Sequence, residues 1–329
     1  MQKIDFVITW VNGNDLRWKE KKDKYLSKSD KKLNTDSRFR DWEILKYWFR
    51  SVEKNAPWVN NIYFITEGHL PEWLNLNHKK LKIINHSDYI SHEFLPTFNS
   101  NVIELNINKI KGISNCFVLF NDDMFINDIV KESDFFVDGV PRDIGVFAPQ
   151  VPIPGGISSI TLNNVEIINK YFNTRKILKK NINKFYRLSY HKHIIKNLVV
   201  LFWKDVLGFY DHHLPISYNM STFNNIWDIE RETIINTCKN KFRTKNDINH
   251  WLMRYWQIAT GNFVPRSTKF GCYYNIDESI DVIIDDIKLR KHKLICLNDG
   301  DNIVEFDKLK EKLINVFEER YNEKSSFEK

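Results

Sequence analysis

Short apolar runs alternate with polar, turn-forming segments along the first third of the chain. Four runs rich in β-branched and aromatic residues predict strands at residues 4–11, 61–66, 81–85 and 116–121. Between the first two, residues 41–53 predict a helix, because their apolar residues recur at helical spacing: Trp42, Leu45, Trp48, Phe49 and Val52. Strands separated by a helix favour a mostly parallel sheet with right-handed crossovers, and therefore an α/β fold.

The rest of the chain has a mainly helical pattern. Helices are predicted at residues 98–110, 163–207, 217–240, 246–260 and 302–323, an extended segment at 146–154, a short strand at 294–298, and a charged helix or loop at 19–33. The last helix places Phe306, Leu309, Leu313 and Phe317 on one face. This order predicts a helical insertion followed by a return to the α/β core and a C-terminal helix.

Composition and charge narrow the class of protein. Hydrophobic residues make up 42% and charged residues 28%, as in a soluble globular chain. The net charge of +7 suits an anionic ligand, such as a nucleotide phosphate, a phosphorylated polymer or a membrane surface. No nucleic-acid motif is recognisable. The sequence has neither an apolar leader nor a run of about 20 apolar residues, so we expect a cytoplasmic protein. The four cysteines lack zinc-site spacing, so reduced thiols are expected.

The segment after the first predicted strand is a candidate ligand loop. It reads Trp10-Val11-Asn12-Gly13-Asn14-Asp15. Ligands of open α/β sheets bind beyond the carboxyl ends of strands, where Gly13 would allow close backbone approach and Asn12 or Asp15 could bind uracil or ribose. An ordinary turn uses the same residue types, so both interpretations stay open.

Two acidic motifs follow apolar strands. Asp122 and Asp123 end the strand at 116–121, and adjacent carboxylates at such a place must be solvated, paired or bound to a metal. This favours a metal or catalytic role over an acidic loop. Cys296-Leu297-Asn298-Asp299 repeats the pattern and could bring a further carboxylate to the same cleft, although a strand-ending turn is the favoured explanation.

His213 and Arg243 are candidates for phosphoryl chemistry. Histidine can accept a proton near neutral pH, and arginine can clamp phosphate oxygens with two hydrogen bonds. Their spacing alone does not place them in a cleft, and His212 beside His213 makes the assignment ambiguous. Serine-hydrolase, P-loop, Rossmann and zincin motifs are not found in the sequence.

The segment 175–204 is basic. Its lysines and arginines recur among isoleucines and phenylalanines. A solvated helical face is the simpler explanation. The alternative is a surface for an anionic acceptor or for peripheral contact with the anionic inner face of the plasma membrane.

Four blocks of this sequence together resemble the Stealth family of sugar-1-phosphate transferases. That family includes capsule polymerases of bacterial pathogens and the animal enzyme that attaches N-acetylglucosamine 1-phosphate to lysosomal glycoproteins. The blocks are DFVITWVNGND with Trp18, the segment 38–123 with RFRDWEILKYWF, LPTFNSNVIE and FNDDMF, the segment from HLP at 213–215 to FRTKNDI at 242–248, and CLND at 296–299. In the last two blocks the matching residues are His213, Pro215, Arg243, Asp247, Asn298 and Asp299. Residues 126–210 show little similarity.

The resemblance implies a glycosyltransferase-A-like α/β core, a UDP-sugar donor, a glycan or lipid-linked glycan acceptor and a divalent metal, Mg²⁺ or Mn²⁺. It implies one integrated catalytic domain with a donor-binding part at 1–150, a helical acceptor-side part at 151–260 that carries His213 and Arg243, and a return to the core at 261–329. Donor binding falls to Trp10, Val11, Asn12, Gly13, Phe98, Asn99 and Ser100. Asp122, Asp123, His213 and Arg243 become catalytic, and the metal ligands are Asp122, Asp123, Asn298 and Asp299.

The expected reaction transfers a hexose 1-phosphate or N-acetylhexosamine 1-phosphate from the UDP-sugar to a glycan hydroxyl. It forms a phosphodiester and releases UMP, in the synthesis of a capsular or cell-surface polysaccharide. Two alternatives stay open. A metal-dependent glycosyltransferase would use the same residues and release UDP, and a glycan- or membrane-binding module would turn over no donor.

Overall fold

The protein is seen in a computed structural model that describes residues 2–27, 34–35, 39–153, 156, 158–300 and 303–329. A five-stranded sheet forms its centre. Its strands are β1 (Ile4–Thr9), β2 (Ile62–Thr66), β3 (Leu81–Asn85), β4 (Cys116–Asn121) and β8 (Ile216–Asn219). They lie in the order β3-β2-β1-β4-β8. The first four run parallel, and β8 pairs antiparallel with β4. The parallel strands therefore end at one common edge of the sheet.

Two smaller sheets flank the central one. Strands β10 (Gly271–Asn275), β11 (Leu294–Asn298) and β5 (Met124–Ile126) form the first, and β6 (Phe136–Val137), β7 (Val140–Asp143) and β9 (Val264–Pro265) form the second. Because β5 follows β4 after two residues, the chain passes directly from the central sheet into the first small sheet.

Helices cover both faces of the central sheet. They are α1 (Leu16–Tyr25), α2 (Leu45–Asn55), α3 (Ser100–Leu105), α4 (Ser158–Tyr171), α5 (Thr174–Phe185), α6 (Ile194–Val199), α7 (Met220–Ile229), α8 (Arg231–Cys238), α9 (Trp251–Thr260), α10 (Ile276–Leu289) and α11 (Phe306–Arg320). On β1, Phe6 and Ile8 pack into the core with α2, α10 and α11, whereas Val7 packs into the core with α4, α7 and α9. This alternation explains why the strands read as continuous apolar runs.

The predicted α/β class is confirmed, as are the mostly parallel sheet, the helical insertion and the C-terminal helix. The prediction of a helix from residue 217 was wrong at its start, because residues 216–219 form β8. The free edge of β4 supplies an antiparallel hydrogen-bonding partner, and this tertiary contact overrides the local pattern. The predicted divisions at 150 and 260 stay predictions.

Some sequence predictions differ in detail or cannot be compared. The helix predicted at 98–110 is the shorter α3 followed by a 3₁₀ turn, and the extended segment at 146–153 forms one isolated bridge, between Phe147 and Phe209. Helix α10 and strands β5, β6, β7, β9 and β10 were not predicted. Parts of three predicted segments (28–33, Pro154 and Asn302) and the start of the second similarity block, Arg38, lie outside the described residues.

Candidate active site

Asp122 and Asp123 form the turn that joins the central sheet to the first small sheet. They are the two residues between β4 and β5. β5 pairs antiparallel with β11, and the N–H of Leu297 donates to the carbonyl oxygen of Asp123 over 2.8 Å. Asn298 and Asp299 come directly after Leu297 in the sequence, so this hydrogen bond brings them close to the turn of Asp122 and Asp123.

Asp123 lies close to two side chains from distant parts of the sequence, those of His213 and Cys296. One ligand atom each from Asp123, His213 and Cys296 lie within 4.8 Å of one another, and the Cys296 thiol donates to Asp123 Oδ2 over 3.4 Å. The other carboxylate oxygen, Oδ1, is buried and has no hydrogen-bond partner within the described part of the chain. A buried carboxylate oxygen of this kind is suited to hold a cation.

The donor chemistry of this cluster fits a divalent cation. Carboxylate oxygens suit Mg²⁺ and Mn²⁺, and imidazole suits the softer transition metals, as does the Cys296 thiol. Asp123 with Asp122, and Asn298 with Asp299 at the end of β11, are the oxygen ligands predicted from sequence. Arg40 from the segment before α2 reaches Asp299 Oδ1 over 3.2 Å, so one predicted ligand already has a cationic partner.

The pKa values of Asp122 and Asp123 are both raised. Desolvation raises the pKa of Asp122 to about 8, and the neighbouring charges of Asp123 and Asp41 act in the same direction. Desolvation also raises the pKa of Asp123, although the charge of His213 and the hydrogen bond from Cys296 oppose the shift. A cation bound here would lower both pKa values, since it favours the charged carboxylates.

His213 lies in a strained loop between two packed rings. Its φ of 46° is in the left-handed region, and its N–H donates to Asp211 Oδ1 over 2.9 Å. The rings of Trp251 and Tyr273 contact the imidazole edge-on, with centroids at 5.9 and 5.2 Å. Burial lowers the pKa of His213, but Asp211, Asp123 and Glu104 outweigh burial and raise it above 6.5. These carboxylates therefore favour the protonated imidazole.

A buried ion pair between Arg254 and Asp143 holds the loop that carries His213. Arg254 donates two hydrogen bonds of 2.8 Å to the carboxylate of Asp143 and a third, of 3.0 Å, to the carbonyl oxygen of Tyr210. His212 Nε2 lies 3.4 Å from Asp143, while its Nδ1 accepts from the Leu214 N–H over 3.2 Å. Burial, together with the Arg254 charge, lowers the pKa of His212 to about 4, so His212 stays neutral. The structure thus assigns the two adjacent histidines to different tasks.

Arg243 meets the start of α3. Its guanidinium donates to the Ser100 hydroxyl, and its backbone N–H and C=O exchange hydrogen bonds with the Asn34 side chain at 3.2 and 3.3 Å. Asp247, four residues later, is fully buried and accepts hydrogen bonds from side chains of Asn99, Asn101, Asn240 and Thr244. This network fixes the loop that carries Arg243.

The three residues predicted to shape the donor-sugar pocket have different surroundings. Phe98 is buried and stacks on Phe242, with ring centroids 5.1 Å apart. Asn99 is buried, caps α3 and donates to Asp247 over 2.8 Å. Ser100 directly contacts Arg243. Phe98 and Asn99 therefore support the Arg243 loop from inside, and their role in shaping the pocket stays a prediction.

The predicted nucleotide loop lies at the carboxyl end of β1. Trp10 is buried against the ring of His69, and the Asn12 N–H donates to His69 Nε2 over 2.8 Å. Gly13 is required, because a Cβ at this position would overlap the carbonyl oxygen of Phe39. Val11 packs against the small aromatic core of Trp18, Phe98 and Phe242. Asp15 accepts from the Trp18 N–H and begins α1, so its side chain has a structural task.

A cavity of about 780 Å³ opens beside this loop. Gly13 and Asn14 line it together with cationic side chains of Lys19, Lys22 and Arg40. Its volume suits a nucleotide-sized ligand, and its lysines and arginine suit phosphate groups. Because Arg40 also binds Asp299, the cavity adjoins the end of β11.

Glu104 was missed by sequence reasoning. It is 4% exposed, its Oε2 lies 3.5 Å from His250 Nε2, and His250 Nδ1 is 2.8 Å from the Tyr218 hydroxyl. Burial raises the pKa of Glu104 to about 7 against the opposing charges of Arg243 and His213. Glu104 therefore links these two predicted residues electrostatically. An acidic residue one helical turn after Ser100, among apolar neighbours, was the available signal.

A sheet edge with paired carboxylates and an imidazole is suited to binding a phosphorylated ligand together with a cation. Models of the Stealth protein conserved regions 1 and 2 match residues 2–30 and 38–143 of the chain. The chain is 52% identical over its whole length to a capsular polysaccharide phosphotransferase WcwK of Streptococcus pneumoniae, covering 99% of that protein. It is 41% identical over 99% of its length to the exopolysaccharide phosphotransferase cps2G of Lactiplantibacillus plantarum, covering 96% of it.

The chain belongs to the Stealth family, and it is an enzyme of the transferase class. The family predicted from the four sequence blocks is thereby confirmed. A further relative, the receptor polysaccharide phosphotransferase WefC of Streptococcus gordonii, is 36% identical over the whole chain and 99% of its own length.

Two glycosyltransferases of known structure are weakly similar to the chain. The galactosyltransferase LgtC, in complex with donor and acceptor sugar analogs, is 8% identical, with 94% of this chain and 95% of that chain covered and a TM-score of 0.40. The apo-form glycosyltransferase GlyE of Streptococcus pneumoniae is 8% identical, with 100% and 65% covered and a TM-score of 0.40. Among the described residues, no helix has the length and apolar character needed to cross a membrane.

Proposed function

We propose that this enzyme transfers a sugar 1-phosphate from a UDP-sugar to a hydroxyl of a capsular or cell-surface glycan and releases UMP. The observation that carries the proposal is the cluster around Asp123. His213 lies beside Asp123, and the charges of both His213 and Arg243 act on the buried carboxyl of Glu104. The names of relatives as polysaccharide phosphotransferases, matched over the whole chain, support the same reaction class.

Binding of the donor is assigned to the 780 Å³ cavity and its rim. Gly13 lets the backbone approach the nucleotide, and the lysines of α1 together with Arg40 balance the diphosphate charge. Asp122 and Asp123 would hold Mg²⁺ or Mn²⁺, with Asn298 and Asp299 as further predicted ligands. A divalent cation in this place supplies charge neutralisation to the diphosphate.

The chain's own residues account for proton and charge movement. The acceptor hydroxyl oxygen attacks the phosphorus that bears the sugar, and the bond from that phosphorus to the UMP oxygen breaks with its electrons leaving on UMP. His213 takes the hydroxyl proton, and the carboxylates of Asp211, Asp123 and Glu104, which raise its pKa, stabilise the imidazolium that forms; one of the aspartates is the alternative base. Arg243 stabilises charge on the equatorial phosphate oxygens. The C–O bond of the sugar never breaks, so the anomeric configuration is retained.

Identification of the nucleotide product tests the reaction. The purified chain is incubated with a panel of UDP-sugars, Mg²⁺ and a glycan acceptor, and nucleotides are separated by chromatography. UMP together with a phosphodiester in the product supports the proposal. UDP would instead show that the sugar alone is transferred by a metal-dependent glycosyltransferase. Absence of any turnover across the panel would favour a binding module.

Two substitutions test the residues. Asp123→Asn and Arg243→Ala are expected to fold and to lose about 10²–10³ in turnover, since each removes one charge-stabilising group. Arg231→Ala, at an exposed position at the start of α8, is the matched control and should retain activity. Wild-type-like turnover in either active-site variant contradicts the assignment.

The acceptor and the cellular location complete the proposal. We place the enzyme in the cytoplasm, where UDP-sugars are available, and assign it a glycan or lipid-linked glycan acceptor at the inner face of the plasma membrane. The helical part between α4 and α9 is the proposed acceptor side, because it carries the loops of His213 and Arg243 next to the donor site. The panel of UDP-sugars described above identifies which sugar is transferred.

A further inference from the structure

The short helix α6 and the 3₁₀ turn that follows it expose an apolar ridge. The ridge consists of six side chains between residues 195 and 203: Ile195, Leu198, Val199, Leu201, Phe202 and Trp203. Phe202 is 83% exposed and Ile195 62%, values far above those of the packed aromatic and aliphatic residues of the two cores. Contiguous exposed apolar side chains of this kind mark an interaction surface.

The buried side of the same helix is firmly anchored. The Asn197 side chain accepts from the Phe147 N–H and donates to the carbonyl oxygens of Gly145 and Phe185, at 2.8, 2.8 and 2.6 Å. Val200 is also buried. The helix therefore cannot rotate to bury the ridge without breaking three buried hydrogen bonds, so the apolar side chains are presented to the surroundings by the fold itself.

The segment that carries the ridge is rich in positive charge. Ten lysines and arginines and no aspartate or glutamate occur between residues 167 and 204, whereas the whole chain carries a net charge of only +7, so the remainder is net negative. The exposed basic residues of this segment include Lys179, Lys180, Arg187, Lys192, Lys196 and Lys204. The Thr174 N–H donates to the Lys204 carbonyl oxygen over 3.0 Å, which joins the start of α5 to the end of the ridge.

We propose that the apolar ridge inserts into the headgroup region of an anionic phospholipid bilayer while the surrounding lysines and arginines bind lipid phosphates. Apolar insertion requires exposed aliphatic and aromatic groups, and attraction to anionic lipids requires a basic rim; this surface has both. A soluble polyanion would bind the lysines but would make no use of the exposed apolar side chains of the ridge. The inference goes beyond the proposed reaction and does not depend on it, because membrane binding is measured without donor.

The ridge is coupled to the catalytic loop. Lys196 Nζ lies 5.2 Å from the centre of the Tyr210 ring, and the His193 ring lies 4.7 Å from it. Tyr210 is held by Arg254 and precedes His213 by three residues. Insertion of the ridge would therefore keep the His213 loop close to the bilayer surface, where a lipid-linked glycan is carried.

Vesicle binding by the full chain tests the proposal. Co-sedimentation is compared between phosphatidylcholine vesicles and vesicles with roughly one-third phosphatidylglycerol, at low and high salt. The wild-type chain should bind the anionic vesicles and be released by salt. Leu198→Ser with Phe202→Ser should weaken binding tenfold or more, at about 25 cal/mol for each Å² of apolar surface no longer buried. Lys180→Gln, Lys192→Gln and Lys204→Gln together should weaken it about a hundredfold, at about fivefold for each charge.

Matched controls separate the surface from general effects. The exposed apolar residues Val282 and Leu289 of α10, changed to serine, should alter binding by about twofold or less, as should a control triple variant, Lys79→Gln, Lys111→Gln and Lys239→Gln. Thermal unfolding and turnover with a soluble acceptor should match wild type in all variants, so a failure of the proposed reaction is seen separately.

Three results would overturn the inference. The first is failure of the wild-type chain to bind anionic vesicles. The second is equal loss of binding in the control variants. The third is a change from dimer to monomer on removing Phe202, with vesicle binding unchanged, which would show that the ridge joins two copies of the chain.

Discussion

Replacing Glu104 by glutamine tests whether the site holds a buried carboxyl close to its titration point. Glu104 is 4% exposed, and burial raises its pKa from 4.5 to about 7, although Arg243 and His213 pull the pKa down. Glutamine keeps the size of the side chain and its ability to bond His250, but it cannot ionise. The substitution therefore isolates the charge from the shape.

The expected effect on stability follows from proton binding. Between pH 4.5 and about 7 the folded chain holds a proton on Glu104 that the unfolded chain has already released, so the free energy of unfolding falls as pH rises. A shift of roughly 2.5 pKa units corresponds to about 3 kcal/mol at pH values above 7. The Glu104→Gln variant lacks this loss, so it should be more stable than wild type at alkaline pH by up to ~3 kcal/mol.

Urea denaturation at a series of pH values measures this difference. The two chains should converge below about pH 4.5 and diverge as pH rises, with metal removed by chelation. Exposed Glu166 on α4, changed to glutamine, is the matched control and should follow the wild-type curve. Turnover of the Glu104→Gln variant should fall about a hundredfold if its carboxylate balances Arg243 and His213 during proton transfer.

Parallel unfolding curves for wild type and Glu104→Gln at every pH would refute the reasoning about the buried carboxyl. Retained turnover in the more stable variant would instead separate the two effects: the pKa argument would stand, and the catalytic part would fail. We predict that the variant is more stable but inactive. A buried ionisable group lowers the stability of the fold, and such a group is kept where the activity of the enzyme depends on it.

Three further changes probe other parts of the site. Arg254→Leu leaves Asp143 buried without its partner and should cost about 3–5 kcal/mol in urea denaturation, whereas adding Asp143→Asn should recover part of this loss; no recovery would contradict the ion-pair argument. Gly13→Ala, which forces overlap with a neighbouring backbone oxygen, should weaken UDP-sugar binding about tenfold or more by calorimetry, and Gly156→Ala, with ordinary contacts, should not. Chelation should abolish turnover and Mg²⁺ or Mn²⁺ restore it, and at alkaline pH the added cation should raise thermal stability by binding ionised Asp122; a cation-independent enzyme would sink the metal assignment.

Local patterns predicted the central part of this fold well. The four parallel strands are apolar runs closed by turn residues, and each lies within one or two residues of its predicted bounds. The same patterns failed at β8, whose sequence Ile-Ser-Tyr-Asn becomes a strand because the edge of β4 is open beside it. They also missed α10, since no helix or strand was predicted for its residues.

Sequence by itself determined which residues carry ionisable groups at strand ends, and similarity blocks indicated that His213 and Arg243 belong with them. Tertiary structure decided which of them lie together: the β4–β5 turn brings Asp123 against β11, and the loop of His213, anchored through the Asp143–Arg254 pair, places the imidazole beside Asp123. Arg243 instead contacts Ser100 at the start of α3. Glu104 became visible only there. Periodicity records how a residue faces its own helix or strand, whereas a pKa or a metal site depends on distances between residues a hundred positions apart, which are set when the packed core closes.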